Sequence, residues 1–184
     1  MATPILPRNA RGYLDTRLGR IDLLVDPQGA VLRVDFRLPG ASGPRSEYAQ
    51  AREAVDAVAH VRQQLLEYFG GARRDFSLTL APRGSQFLEQ AWALLAQVPY
   101  GTVTTYGQLA KNMGKPGAAR AIGMANAVNP ISIIVPCHRV IAANGTLSGY
   151  SGGLDKKRDL LTLEAEHSCV DLLQTGSNWT KPDR

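Results

Sequence analysis

The run Ile134-Val135-Pro136-Cys137-His138-Arg139-Val140-Ile141 sets a thiol between a proline and an imidazole, inside an otherwise apolar stretch. Burying a cysteine needs no such neighbours. A thiol placed to react needs a base, a fixed backbone and a positive surrounding, because the thiolate is the nucleophile. Pro136, His138 and Arg139 offer these three in four residues. A free cysteine has a pKa of about 8.5, and lowering it by about two units, about 2.7 kcal/mol, makes thiolate the main form at neutral pH.

Other chemistries are poorly supplied. The histidines are His60, His138 and His167, and the cysteines Cys137 and Cys169 lack metal-ligand spacing, so no metal site is expected. One cysteine lies in the apolar motif and the other in a polar tail, which fits a reduced, intracellular protein better than a disulfide. No apolar run approaches the roughly 20 residues that span a bilayer. The segment Met1 to Asn9 has no apolar core before a cleavage site, so no signal peptide is read there. A cytoplasmic protein with no membrane partner is expected.

The net charge is +5, and its placement says more than its size. No acid occurs from Gln90 through Leu154, a span that carries Lys111, Lys115, Arg120 and Arg139. Such a span has nothing to repel phosphate and suits a polyanion. A Gly/Ala-rich core segment with few charges of any kind gives the same pattern, so charge alone leaves both readings open.

These residues need elements to position them. Arg20 to Val25 and Ala30 to Arg37 alternate, with Ile21, Leu23 and Val25, then Leu32, Val34 and Phe36, on one face. Asp26-Pro27-Gln28-Gly29 between them is a turn signal, so a hairpin is predicted. Pro39 to Pro44 reads as a loop. Val55, Val58, Leu65 and Phe69 predict one helix from about Glu47 to Phe69, ended by Gly70-Gly71. Phe76, Leu78 and Leu80 predict a further strand. After Ala81-Pro82-Arg83-Gly84, taken as a linker, Ser85 caps a helix to about Val98. Thr105 and Gln108 form a capping-box pattern for a helix ending near Met113, before Gly114. Pro116 is placed to start the next helix, which runs to about Ala127. The pair is a helix-turn-helix candidate. Its second helix is built from Ala118, Ala119, Ala121, Gly123, Ala125 and Ala127, with Arg120 as the one long charged side chain. Such a helix suits close approach to a minor groove with one inserted arginine. It equally suits tight packing in a core. Asn144-Gly145 is a turn signal, Gly149 to Gly153 a flexible loop, and Leu154 to about Glu164 a last helix.

The chain resembles the O6-alkylguanine-DNA alkyltransferases, also called methylated-DNA–protein-cysteine methyltransferases. The matching stretches are Pro99-Tyr100-Gly101, Thr105-Tyr106-Gly107-Gln108-Leu109-Ala110, Pro116-Gly117-Ala118-Ala119-Arg120-Ala121, Asn129-Pro130, Pro136 through Ile141, and Tyr150 through Gly153. The likeness is strong from about Gly84 to Glu166; before that it is one of layout. It implies an α/β (α+β) fold with a small antiparallel-sheet, ribonuclease H-like lobe over 1–81. A mainly helical, winged helix-turn-helix-like lobe follows over 82–166, and a flexible tail over 167–184.

The resemblance also implies direct-reversal DNA repair. Cys137 takes the alkyl group from O6 of a guanine flipped out of double-stranded DNA, irreversibly and once per chain, with no cofactor. O4-alkylthymine as a second substrate, and cooperative assembly of an otherwise monomeric protein on DNA, are left open. By resemblance His138 takes the thiol proton, oriented by Glu164, and Asn129 ties the two halves of the site together. Arg120 fills the gap in the base stack. Tyr106 lines the pocket and donates to the lesion, Tyr150 stacks as a wall, and Ser151 donates to O6. The backbone of Cys137 and of Val140 accepts from the guanine amino group, and Arg139 supports the fold. Two departures stand out: the zinc ligands that some relatives carry in the first lobe are missing, and Asp159 sits where relatives often have an apolar residue. A lesion reader of the alkyltransferase-like kind has another residue, typically tryptophan, in place of Cys137. A thiol hydrolase would need an oxyanion hole that nothing here suggests. A sequence-reading regulator would need polar side chains that the second helix lacks.

Overall fold

The computed structural model describes residues 8–37, 40 and 46–168. The loop expected at Pro39 to Pro44 falls mostly outside them, as do residues 1–7 and, from residue 169 on, the expected tail with Cys169.

The hairpin forms between β2 (Gly19–Val25) and β3 (Val31–Phe36). Asp26 closes its turn by accepting from the backbone N–H of Gln28 and Ala30 at 2.9 and 2.8 Å. A register shift beside Val25 alters the expected faces. Val31, Val34 and Phe36 enter the main core, while Leu32 turns to the other side with Leu24, Tyr48 and Ala51. A bulge of this kind adds one residue and reverses the alternation before it.

A strand that the sequence pattern hides, β1 (Ala10–Thr16), pairs antiparallel with β2. Its inward positions are Ala10, Gly12 and Leu14, so alternation carries little apolar signal. Gly12 is small because Val58 lies against it: a Cβ there would sit 2.4 Å from a Val58 methyl.

The single helix expected over Glu47 to Phe69 is instead four short elements. After α1 (Ser46–Ala49), Arg52–Glu53 forms β4, a short parallel partner of β1. A 3-10 turn, Asp56–Val58, then leads into α2 (Ala59–Phe69). The N–H groups of Arg52 and Ala54 bond to the sheet edge at Asn9 and Arg11, which a continuous helix would forbid. In α2 the buried face is Val61, Leu65 and Tyr68, with Phe69 beside it. The strand expected at Phe76 to Leu80 reduces to a bridge between Leu80 and Val31. Ser77 satisfies its backbone on the Gln64 side-chain amide instead of on a neighbouring strand.

Helix α3 (Gln86–Leu95) starts at Ser85, whose hydroxyl accepts from Leu88 N–H at 3.5 Å, and it ends one turn short of Val98. A two-residue strand β5 (Thr104–Thr105) precedes α4 (Tyr106–Asn112). Thr105 caps α4 as expected, but Gln108 does not return the bond; its amide donates to Asn112 at 2.9 Å. Gly114 follows with φ +72°, the left-handed value that favours glycine after a helix. Pro116 does not open the next helix. It occupies a turn closed by Ala118 N–H on Lys115 C=O, where its fixed φ is suitable, and α5 is Ala119–Ala127. A strand β6 (Val140–Ile141) pairs with β5, and α6 spans Leu154–His167.

One hydrophobic core runs from the sheet through α2, α3, α4, α5 and α6 to Cys137. Ile131 and Ser132 bridge to Val34 on β3, so the loop that leads to the cysteine is fastened to the sheet edge. No described helix is long and apolar enough to cross a membrane. Among the described residues no group of three or more His, Cys, Asp and Glu could hold a metal ion.

Candidate active site

Cys137 opens a single 3-10 turn, Cys137–Arg139, that follows a strained loop. Ile133 has φ +73°, an uncommon value for a β-branched residue. Strain of this kind persists only where neighbours over-determine it. Asn129 does so: its Oδ1 accepts from Ile131 N–H at 3.0 Å and its Nδ2 donates to Val135 C=O at 2.9 Å. The asparagine thus clamps both ends of the loop that delivers the cysteine.

His138, fully buried, lies 2.8 Å through Nε2 from Glu164 Oε1. A carboxylate only accepts, so Nε2 carries the proton and Nδ1 of the neutral ring holds a lone pair. That Nδ1 is buried with no partner among the described residues. Burial lowers the imidazole pKa, against the pull of Glu164. The ring is therefore neutral at rest and able to accept a proton.

Glu164 is the hub. Besides His138 it receives the Tyr68 hydroxyl at 2.7 Å, Arg139 Nη2 at 2.9 Å and Nε at 3.0 Å, and the Gly101 N–H at 3.0 Å. Burial would push this carboxyl up, but His138 and then Arg139 hold it well below the usual carboxylate range. Arg139 also donates to Val98 C=O, so one guanidinium joins the α3 exit to α6. Fold support is part of its work; fixing the carboxylate behind His138 is the rest.

Cys137 is 1% exposed, and burial pushes its thiol up, against smaller opposing effects of Asn129, Lys157 and Ser132. The lowered pKa that the flanking residues suggested is absent at rest: desolvation outweighs the charges.

Three of the remaining expected residues are buried or partly buried. Val140 is buried in β6, and its carbonyl accepts from Lys157 Nζ at 2.6 Å. Tyr106, at the start of α4, lies 3.4 Å through its hydroxyl from the Ser148 backbone oxygen. Tyr150 meets Phe36 edge-on at 6.5 Å, and its buried hydroxyl has no bond of ordinary geometry. Two residues lie at the surface. Ser151 is exposed and makes no hydrogen bond among the described residues. Arg120 is exposed on α5, likewise without a hydrogen bond or ion pair among them. Along α5, Ile122, Ala125 and Asn126 are buried, whereas Arg120, Ala121, Met124 and Ala127 face outward. The small residues therefore serve both a packed face and an open one.

Three functional candidates escaped the sequence reading. Tyr68 bonds to Glu164 from α2. Lys157 is fully buried, donates to Val140 and Ser148 carbonyls at 2.6 Å each, and is pushed down to about 8 by burial, with Cys137 opposing. Asn126 donates to the Cys137 carbonyl at 3.2 Å. A signal for Lys157 existed: 157, 160, 161 and 164 have helical one-face spacing, but the run Lys156-Lys157-Arg158 read as a solvated end.

Tyr68→Phe removes one bond to a charged, buried acceptor. We expect a loss of about 2 kcal/mol in urea unfolding. Because Tyr68 touches Glu164 and not the thiol, its effect on reaction rate is expected to be severalfold and to track the Glu164 pair.

Fold and site together define a protein with a buried cysteine at a 3-10 turn that also carries a buried histidine–glutamate pair, behind a helical pair. The family model for the 6-O-methylguanine DNA methyltransferase DNA-binding domain matches residues 86–166. A methylated-DNA–protein-cysteine methyltransferase from Mycolicibacterium paratuberculosis is 51% identical over 116 residues, covering 63% of this chain and 70% of the relative. One from Methanosarcina acetivorans is 55% identical over 102 residues, 55% of this chain and 65% of that one. In structure the chain is similar to Mycobacterium tuberculosis OGT solved in complex with DNA, with TM-score 0.77 and 36% identity, over 86% of this chain and 94% of that one. The chain belongs to the methylated-DNA–protein-cysteine methyltransferase family.

Proposed function

We propose that Cys137 accepts the alkyl group of O6-alkylguanine in double-stranded DNA, once per chain. The observation that carries this reading is the buried, unpartnered Nδ1 of His138, the residue after Cys137 in the same 3-10 turn, with Nε2 held by Glu164. Nδ1 takes the thiol proton, directly or through one water. Sγ then bonds to the alkyl carbon as the carbon–O6 bond breaks; the departing guanine takes a proton from solvent or from the Tyr106 hydroxyl, which solvent reprotonates as the His138 imidazolium returns its proton to water. A soft thiolate suits an alkyl carbon, and donors at the leaving oxygen offset its developing charge. The product is a thioether, which neither His138 nor Glu164 can hydrolyse, so the chain is consumed. The steps as written balance without a cofactor. Glu164 stabilises the imidazolium while it lasts. Asn129 holds the cysteine loop, Val140 and Tyr150 bound the base site, and Ser151 donates to O6 from the loop after Tyr150.

Access requires the lesion to leave the stack, which costs a few kcal/mol. The outward face of α5 fits that task. Arg120 is followed one turn on by Met124, 65% exposed, and Val128, 48% exposed, while the acid-free surface adds Lys111 and Lys115. Arg120 enters the vacated stack position while the helix backbone approaches the minor groove. The DNA-facing part is residues 82–166 and the sheet lobe, 1–81, braces the cysteine loop. The protein works as a monomer in the cytoplasm.

Arg120→Ala is expected to slow repair of a duplex lesion about 30-fold or more, since the unstacking cost of a few kcal/mol is no longer offset. Reaction with the free base O6-benzylguanine should change less than twofold. Single-turnover rates on both substrates check this, and equal losses would remove Arg120 from the flipping step.

A further inference from the structure

A single apolar side chain at the surface of a folded chain is ordinary, but a contiguous strip of them marks a binding face. Helix α5 carries such a strip. Ala121, Met124, Ala127 and Val128 are exposed at spacings of three and four residues, which sets them on one side of the helix. Met124 and Val128 are its large members. The opposite side, with Ile122, Ala125 and Asn126, is buried. Arg120 heads the strip one turn before Met124. The arginine has a task in the reaction described above; the methionine has none.

The surroundings of the strip say what covers it. Exposed Lys111 and Lys115 precede it in the helical pair, and no acid occurs from Gln90 through Leu154. An apolar protein surface laid on this face would leave those cations without counter-charge. A duplex supplies phosphates for them and, along its minor groove, the carbon edges of the deoxyriboses for the strip. Gly123 ties the face to the site: a Cβ added there would lie 3.8 Å from the Tyr106 ring. Met124 stands about 6 Å along the axis from Arg120, by the rise of four helical residues. Its unbranched thioether adapts to an irregular surface and can lie flat in a groove while the alanines let the backbone close in.

We propose that Met124, with Val128 behind it, packs on the deoxyribose edges of the minor groove beside the stack position that Arg120 fills. This rests on the alkyl-transfer reading and deepens it. Arg120 replaces the departed base; Met124 holds the opened groove against the helix by apolar contact. It acts on the flipped duplex and not on the thiol, so it sets which substrates benefit: duplex lesions do, free bases do not.

The test uses Met124→Ala and Met124→Leu in the full chain, both at an exposed position where folding is not at stake. Single-turnover repair of an O6-methylguanine duplex by the alanine chain is expected to slow about tenfold, the worth of roughly 60 Å² of apolar surface. Reaction with free O6-benzylguanine should change less than twofold, and leucine should restore the duplex rate to within about twofold. The slope of duplex affinity against salt should stay the same in Met124→Ala, whereas Lys111→Ala lowers it by about one. Unaltered transfer with an alanine chain equally fast on the duplex overturns this assignment alone. So does equal slowing on duplex and free base, or a leucine chain as slow as the alanine one. A DNA-free dimer of the unaltered chain that Met124→Ala dissolves assigns the strip to a second copy and overturns it as well. Absence of transfer by the unaltered chain overturns the alkyl-transfer reading and this assignment with it.

Discussion

Cys137→Ala is expected to abolish alkyl transfer completely while leaving the fold and the binding of a lesion-bearing duplex in place. The side chain that is lost is one sulfur atom, buried and, by the upward push of burial on its pKa, uncharged at rest. Its removal leaves no orphan charge, so the stability cost is that of a small void, about 1–2 kcal/mol. Everything proposed to meet DNA, Arg120, Lys111, Lys115 and the outward face of α5, is untouched. The rate has no such reserve, because no other described thiol exists. Cys137→Ser should behave alike, because a hydroxyl is too weak an acid to be ionised by a neutral imidazole at neutral pH. Single-turnover assays with titration of duplex binding separate the two quantities. Residual transfer by the alanine chain would place the nucleophile elsewhere.

Glu164→Gln is expected to damage both stability and rate. The carboxylate receives donors from Tyr68, Gly101, His138 and Arg139, and an amide cannot accept from all of them. Arg139 is then left as a buried cation without its counter-charge, which costs about 3–5 kcal/mol. That corresponds to a fall in Tm of about 10 °C for a chain of this size. The imidazole loses the partner that fixes its tautomer and stabilises its protonated form, so transfer should slow about 100-fold or more. The pH dependence carries the same signature. The folded pKa of Glu164 lies below its ordinary value of 4.5, so the stability it contributes is complete above that value and is lost as pH falls below it. The glutamine chain should lose that part of the acid limb in urea unfolding followed against pH. An unchanged acid limb would mean that the Glu164 cluster does not govern acid stability.

The part of the fold legible in the sequence was the part carried by side chains of contrasting polarity. The β2–β3 hairpin, the Ser85 and Thr105 caps and the Gly114 stop all rest on residue types with one dominant preference, and each formed. β1 was hidden because its inner face needed Gly12 against Val58, and a glycine carries no hydrophobic signal. The break in the helix after Ala49 was hidden because it depends on hydrogen bonds to Asn9 and Arg11, distant in sequence. The same division runs through the site. Cys137, His138 and Asn129 sit in a dense motif, and Glu164 was found by likeness. Tyr68 and Asn126 earn their places only by which atom they face, and Lys157 by which carbonyls it reaches from the inner side of α6.

The central claim is that one alkyl group moves from DNA to one sulfur. Its most direct measurement is the mass of the peptide containing Cys137 after incubation with a duplex carrying a single O6-methylguanine. The predicted result is a gain of one methyl group on that peptide, at no more than one per chain, with guanine restored in the duplex. Tight binding of the duplex with no mass gain at Cys137, or release of methyl groups beyond one per chain, would contradict the account.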